Sequence, residues 1–297
     1  DRSVSRGLGD VYKRQEDISD SIKEESLMMR SLWTAASGMI SQQTNLDTIA
    51  HNLSNVNTVG YKKETIQFKS LMYQTLQDKT TDHEGNPKPV GAQVGLGVRT
   101  GAISTNFKQG ALNESNGEFD YAIEGRGFYM VQLQDGSTGY TRNGDFNVSI
   151  MTDGTLAMTD TNGNPVLDTT GKAIVLPAGT KSNEIEVDLQ GHLTLPDERN
   201  NRQRIGIQIG LAYFPNPGGL EKGSDTCLKE SPASGAATIY TPEQLGSKVV
   251  SGRLEASNVQ AVDEMVNMII AQRAYEMNSK AITASDEMLQ QANNLRA

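Results

Sequence analysis

One cysteine and one tryptophan occur in 297 residues, aromatic residues make up 5% of the chain, and only 36% of it is hydrophobic. The lone Cys227 excludes an intrachain disulfide and any cysteine-rich metal centre. Scarce cysteine also suits an oxidising envelope compartment, so it does not assign a cytosolic address. Basic residues are in the minority, 27 Lys and Arg against 36 Asp and Glu, for a net charge of −9. A chain of that sign is unsuited to general nucleic-acid or anionic-membrane binding, since both need a basic surface. No apolar run approaches the ~20 residues needed to span a bilayer. Residues 1–30 also lack the continuous apolar segment of roughly 7–15 residues that marks a secretory signal. Export therefore calls for a route without a cleavable signal.

Glycine is plentiful at 29 positions and asparagine at 21, and both favour turns. The length suits about two domains. With so few large apolar residues, the cores are expected to be modest and to be completed by neighbouring subunits.

Three unlike stretches follow one another. Residues 1–28 mix charge with Ser and Gly, show no sustained period, and read as a tail or sequencing scar outside the fold. From Leu32 the apolar residues step by threes and fours through Ala35, Met39, Leu46, Ile49 and Leu53, broken only by Gln42, as in a helix with a seven-residue repeat. Asn52, Asn55, Asn57 and Gly60 then supply a stop and fix the turn after this helix. At the other end Val259, Val262, Val266, Ile270, Ala274, Met277, Ala281, Ala284, Met288, Gln291 and Leu295 form a second stripe, with a stutter between Val262 and Ala274. Ser257 or Asn258 would cap this helix, and Glu276 with Lys280 makes a favourable i,i+4 pair. The two helices are expected to pair as a coiled coil, with Leu32, Met39, Leu46, Ile49 and Leu53 facing Val266, Ile270, Met277, Ala281 and Met288.

Between them the pattern is β. Phe119, Tyr121 and Ile123 alternate, as do Tyr129, Val131 and Leu133, then Phe146, Val148 and Ile150. Asp135-Gly136, Asn143-Gly144, Asp153-Gly154 and Asn162-Gly163 supply hairpin turns, so residues 119–168 read as an antiparallel meander. Gln190-Gly191 adds a hairpin and Ile205, Ile207 and Ile209 a strand. The fold class is α+β: a terminal helical domain from residues 29–63 and 252–297, an extended connector over 64–98, and a central antiparallel all-β domain over 99–251.

The search for chemistry is nearly empty. His51, His83 and His192 have no metal-ligand spacing, and Cys227 has no His nearby in sequence. Asp160-Thr-Asn162-Gly-Asn164 opens like a calcium loop, but Pro165 and Gly171 stand where a Gly and a bidentate Glu belong. Gly125-Arg-Gly127 is followed by Met130 and is no dinucleotide fingerprint. Asp263-Glu264 and Asp286-Glu287 read as solvated helix positions, and Met265, Met268, Met277 and Met288 as packing. No cofactor, metal or catalytic site is expected.

Three motifs together resemble the bacterial flagellar rod and hook proteins. They are Met29-Arg-Ser-Leu-Trp33 through Asn52-Leu-Ser-Asn-Val-Asn-Thr-Val-Gly60-Tyr-Lys-Lys63, Ile123-Glu-Gly-Arg-Gly-Phe-Tyr-Met-Val131 with Tyr140-Thr-Arg-Asn-Gly-Asp-Phe146, and Leu254-Glu-Ala-Ser-Asn-Val259 with Glu264 through Lys280. The resemblance covers about residues 29–297. Within the family, Trp33, Leu71-Met-Tyr-Gln-Thr75 and Val266-Asn-Met-Ile-Ile270 point to a distal-rod member. It implies a structural subunit that leaves the cell through the flagellar type III export apparatus. That subunit would polymerise with itself into a tubular drive shaft crossing the periplasm. Its other neighbours would be proximal rod proteins, the hook protein and ring bushing proteins. Arg273 and Tyr275 would add polar and aromatic contacts between subunits. A proximal rod or hook component is the alternative within the family. Outside it, the alternative is a peptidoglycan-acting enzyme using Asp145 and Asp153, the least unsuitable carboxylate pair.

Overall fold

The apolar periods at the two ends of the chain become helices, α1 (Ser3–Ser54) and α2 (Ala261–Asn294). The computed structural model describes residues 3–77, 91–151, 154–177, 185–196, 202–224 and 226–294, with only the helical backbone described for residues 3–28 and Ala292. His83, Asp153 and Leu295 lie outside the described residues, as does most of the Gly- and Pro-rich stretch after Gln77. The first block, set apart in the sequence as a tail or sequencing scar, continues the helix back to Ser3. It carries no proline to break a helix.

The chain divides into two units, one of residues 1–50, 66–103 and 262–297, the other of residues 51–65 and 104–261. In the first unit the helices touch where the Ser31 and Ser285 hydroxyls lie 3.3 Å apart. They touch again at Gly38, where an added Cβ would sit 2.8 Å from the Asn278 amide nitrogen. Seven residues forward on α1 correspond to seven back on α2, so the pair is antiparallel. Apart from Ile49, the buried residues of the two helices in this unit are small or polar: Ala35, Ser41 and Thr48 on α1, and Glu264, Ala271 and Ser285 on α2.

This corrects the expected facing stripes. Val262, Val266, Ile270, Met277 and Met288 are between 51 and 73% exposed, and Ala281 is exposed as well. At the two contacts, Gly38 against Asn278 and Ser31 against Ser285, small and polar residues meet in place of Val, Ile or Met. The run of four-residue steps from Val262 to Ala274 also carries the apolar stripe around the helix, away from a seven-residue seam. Glu264, expected in solvent, is buried, and three of the four methionines expected to pack (Met265, Met277 and Met288) are exposed.

The connector is partly sheet. The strands Glu64–Ser70 and Val98–Thr105 pair, and Tyr73–Gln77 pairs antiparallel with Ala92–Gly95. Gly97, at φ +115°, allows the chain to pass so close to α1 that a Cβ there would lie 2.2 Å from the Ser37 hydroxyl.

In the second unit a six-stranded sheet runs in the order Glu221–Lys222, Leu228–Lys229, Thr138–Thr141, Phe128–Gln132, Leu211–Tyr213, Thr238–Tyr240. The Phe128–Gln132 strand is buried on both faces. Tyr129 and Val131 enter the larger core with Tyr121, Phe146, Met158 and Leu193, while Phe128 and Met130 enter a second with Tyr140, Phe214 and Leu220. Burial on both sides explains its unbroken apolar sequence. Edge-to-face rings, Tyr129 with Phe146 at 5.1 Å and Tyr140 with Phe214 at 4.7 Å, fill the two layers.

Most expected turns are present. Gly136, Gly154, Gly163 and Gly191 have positive φ at hairpins. Asn143-Gly144 is different: the strand before it belongs to the six-stranded sheet, and Phe146–Ile150 pairs with Leu156–Asp160 instead. Gly144 is required by proximity, since a Cβ there would lie 1.6 Å from the Tyr121 carbonyl oxygen. Asp160 binds the backbone N–H groups of Asn162 and Asn164, each at 2.8 Å, as a turn residue does.

Candidate assembly site

Three distant segments converge in the second unit on one buried carboxylate. Glu255, on the strand Arg253–Glu255, is 1% exposed and receives the Lys62 ammonium on one oxygen. On its other oxygen it receives an Arg142 guanidinium nitrogen at 3.1 Å. The Gly110 backbone N–H adds a 2.9 Å bond to the Glu255 side chain, and the Glu255 carbonyl accepts from Gly60 N–H at 2.8 Å. Lys62 also donates to the Lys108 carbonyl at 3.0 Å, and Arg142 to the Gly125 carbonyl at 2.8 Å. The Arg142 guanidinium lies 5.5 Å from the Phe128 ring centre. Burial pulls the Lys62 ammonium below the usual lysine value, against the opposing pull of Glu255.

Of the residues expected to fix the turn after α1, Asn52, Asn55 and Gly60 make specific contacts there. Asn52 is buried. Its side chain accepts from Glu64 N–H at 2.8 Å and from the Tyr61 hydroxyl at 3.0 Å, and donates to the Glu64 carbonyl at 2.8 Å. Asn55 donates back to the His51 carbonyl at 2.9 Å, satisfying a helix-end acceptor. Gly60, at φ +71°, presses against Arg142-Asn143, where a Cβ would lie 2.6 Å from the Asn143 nitrogen. Asn57 is exposed. Asn258, expected as a helix cap, instead accepts from Lys63 N–H at 2.7 Å and donates to the Asn106 and Lys108 carbonyls. The chain around 255–258 is thus stapled to residues 60–64 and 106–110.

The remaining expected residues lie on the helices. Leu32, Met39, Leu46 and Leu53 are half-buried and Ile49 is buried, while Arg273 and Tyr275 are exposed. Arg273 takes Glu276 at 2.9 Å, in place of the expected pairing of Glu276 with Lys280. On α1, Trp33 and Ile40 are exposed too. Large apolar side chains thus stand in solvent on both helices, and a monomer gains nothing from them.

Asp145 forms an isolated backbone β-bridge with Asp120, and burial followed by the Asp120 charge raises its carboxyl above the ordinary value, while its expected partner Asp153 lies outside the described residues. Cys227 is buried among apolar residues. No described helix is long and apolar enough to cross a membrane.

Lys62, Arg142 and Glu255 were not singled out from sequence, although each sits inside a quoted motif. Spacing does not mark them: Glu255 stands in Arg253-Leu254-Glu255-Ala256-Ser257, three residues after Gly252.

Comparison with known families gives the cluster its context. The model for "Flagella basal body rod protein" matches residues 32–62, that for "Flagellar hook protein FlgE/F/G D1 domain" matches 122–195, and that for "Flagellar basal body rod FlgEFG protein C-terminal" matches 250–295. Each matched stretch supplies one member of the cluster: Lys62, Arg142 and Glu255 in turn. These matches define the class, an axial protein of the bacterial flagellum.

Over 271 residues the chain is 42% identical to the flagellar basal-body rod protein FlgG of Borreliella burgdorferi, covering 91% of this chain and 99% of that one. It is 38% identical to FlgG of Caulobacter vibrioides over 276 residues, and 38% identical to FlgG of Bacillus subtilis over 271, each covering 91% of this chain and 100% of the relative. The chain belongs to the FlgG family of flagellar basal-body rod proteins. It is a structural component of the basal body, with no enzymatic role.

Proposed function

We propose that this chain is a subunit of the distal rod that polymerises through its terminal helices into a tubular shaft carrying motor torque to the hook. The observation that carries the reading is the outward face of α2, where Val262, Val266, Ile270, Met277 and Met288 stand exposed with nothing among the described residues to cover them. A filament is built from unlike faces that meet without closing into a ring, and an apolar face of this length is suited to one of them. The coiled-coil reading of α1 with α2 rests on the seven-residue register of Ser31–Ser285 and Gly38–Asn278.

In this reading the assembly residues are Leu32, Met39, Leu46, Ile49 and Leu53 on α1 and Val266, Ile270, Arg273, Tyr275, Met277, Ala281 and Met288 on α2. Asn52, Asn55, Asn57 and Gly60 set the turn between helix and β unit. Neighbours are further copies of the chain, proximal rod proteins, the hook protein and ring bushing proteins. Delivery is through the flagellar type III export apparatus into the periplasm. Electron microscopy of the purified protein after concentration tests the reading. Straight tubular polymers are expected, and monodisperse monomers persisting at high concentration with both helices ordered would overturn it.

A further inference from the structure

Beside the Lys62–Glu255–Arg142 cluster the second unit holds a cavity of about 340 Å³. Its lining reverses the sign of the molecule. Lys62, Arg142, Lys222 and His51 stand around it, with Glu64 as the acid of the described lining and Glu255 behind it. Lys222 pairs with Glu64, whose carboxylate also lies 3.7 Å from the His51 ring. Three basic side chains thus meet two carboxylates, in a chain whose net charge is −9. Phe107, Phe128 and Leu228 close the remainder of the wall with apolar surface.

Two polar groups at this wall are left over. The Thr226 hydroxyl is buried without a hydrogen-bond partner among the described residues, and so is the Arg142 Nε–H. Thr226 is also the one described non-glycine residue in the left-handed region, at φ 60°. A β-branched residue adopts that conformation only under constraint from its surroundings, and such strain gathers at sites that do something. A buried donor without a partner is costly in an empty protein and ceases to be so when an acceptor arrives. Surplus positive charge and a spare hydroxyl, enclosed by apolar walls, match a group with negative charge and several acceptor oxygens.

The geometry points to a carboxylate-receiving pocket, filled in the assembled rod by an acidic side chain of a second copy of this chain. The inference rests on the polymer reading above. Charge complementarity favours the second copy, because Asp and Glu exceed Lys and Arg by nine over the whole chain while the cavity is basic. Lys222 is the accessible member, on the short edge strand Glu221–Lys222, with 42% of its side chain in solvent. It can turn from Glu64 towards an incoming carboxylate without disturbing a core.

The test uses the full chain and sodium acetate as probe, with chloride making up constant ionic strength. Amide and His51 ring signals are followed by NMR at low protein concentration, and polymer onset by light scattering at high concentration. The wild type should show saturable shifts confined to His51, Gly223 and Thr226. Lys222→Gln and Thr226→Val should weaken acetate binding at least tenfold while the thermal midpoint stays within a few degrees. Lys222→Gln should also raise the concentration at which polymers appear several-fold. Shifts that do not saturate, or that are equal in the variants and the wild type, overturn the pocket. Acetate binding with an unchanged polymer onset overturns the neighbour as occupant and leaves a site for a free carboxylate. A wild type that never polymerises defeats the rod reading, while the acetate titration still decides the pocket.

Discussion

The Lys62 ammonium and the Glu255 carboxylate, 193 positions apart in sequence, meet in a space from which water is almost excluded. Arg142 completes the contact from the middle of the chain. Two cations sharing one buried carboxylate depend on it in full, because removing it strands both charges. Glu255→Gln is therefore expected to destabilise the β unit by roughly 3–5 kcal/mol. Urea unfolding followed by near-ultraviolet circular dichroism measures this. A loss below about 1 kcal/mol would show that solvent reaches the cluster and compensates it.

Tyr121 and Tyr129 bury hydroxyls that lack a hydrogen-bond partner among the described residues. Burial raises both phenols well above the ordinary tyrosine value. The folded protein therefore holds these protons where the unfolded chain releases them, so stability is intact below about pH 10 and falls as pH climbs further. Tyr129→Phe should move alkaline unfolding to higher pH and raise stability at pH 7 by about 1 kcal/mol. A pH series of thermal midpoints for the two proteins checks both the sign and the size.

Gly144 and Gly154 separate two uses of glycine. Gly144 has backbone in the way of any Cβ, whereas Gly154 sits at φ +77° with open space around it. Gly144→Ala should prevent the β unit from folding, and Gly154→Ala should cost only about 1 kcal/mol. Expression of soluble protein together with calorimetry distinguishes the two. Equal effects would contradict the close approach at Tyr121.

The helix register can be trapped chemically. Ser31→Cys with Ser285→Cys should form an intramolecular disulfide under mild oxidation, given hydroxyls 3.3 Å apart. Ser31→Cys with Asn278→Cys, two helical turns out of register, should not. Cys227 is buried and stays out of the exchange. Mobility on a non-reducing gel reads the result, and efficient cross-linking of the second pair would sink the antiparallel register.

Ile270→Asp with Met277→Asp replaces two exposed side chains, so monomer stability should change by no more than about 0.5 kcal/mol per site. Polymer formation and swimming should be lost. A motile strain carrying both changes would remove the outward face of α2 from the assembly.

Much of this architecture was legible in the residue order, for reasons that are local. The stripe through Leu46, Ile49 and Leu53 and the glycines at 136, 154, 163 and 191 declare helix and hairpins within a few residues of themselves. What stayed hidden depends on partners far along the chain. An apolar stripe shows that a face seeks cover, but not whether the cover belongs to the same molecule, so Val266 and Ile270 were assigned to the wrong contact within the monomer. Asn143-Gly144 has the letters of a hairpin turn, and only the path of residue 121 beside it shows why glycine stands there. Asn258 resembles a helix cap until residues 63, 106 and 108 are seen around it. Glu255 is the extreme case, since its two partners stand 193 and 113 positions earlier in the chain and neither is suggested by spacing.

The small and polar seam between α1 and α2 has a mechanical meaning. With Gly38 against Asn278 and Ser31 against Ser285, small and polar residues hold the contact between the two helices. A pair joined this way can be drawn apart and re-formed cheaply, whereas the β unit, closed around its stranded-charge lock, cannot. The loosely joined unit is thus the one made from both chain ends, and the tightly closed one lies between them in sequence.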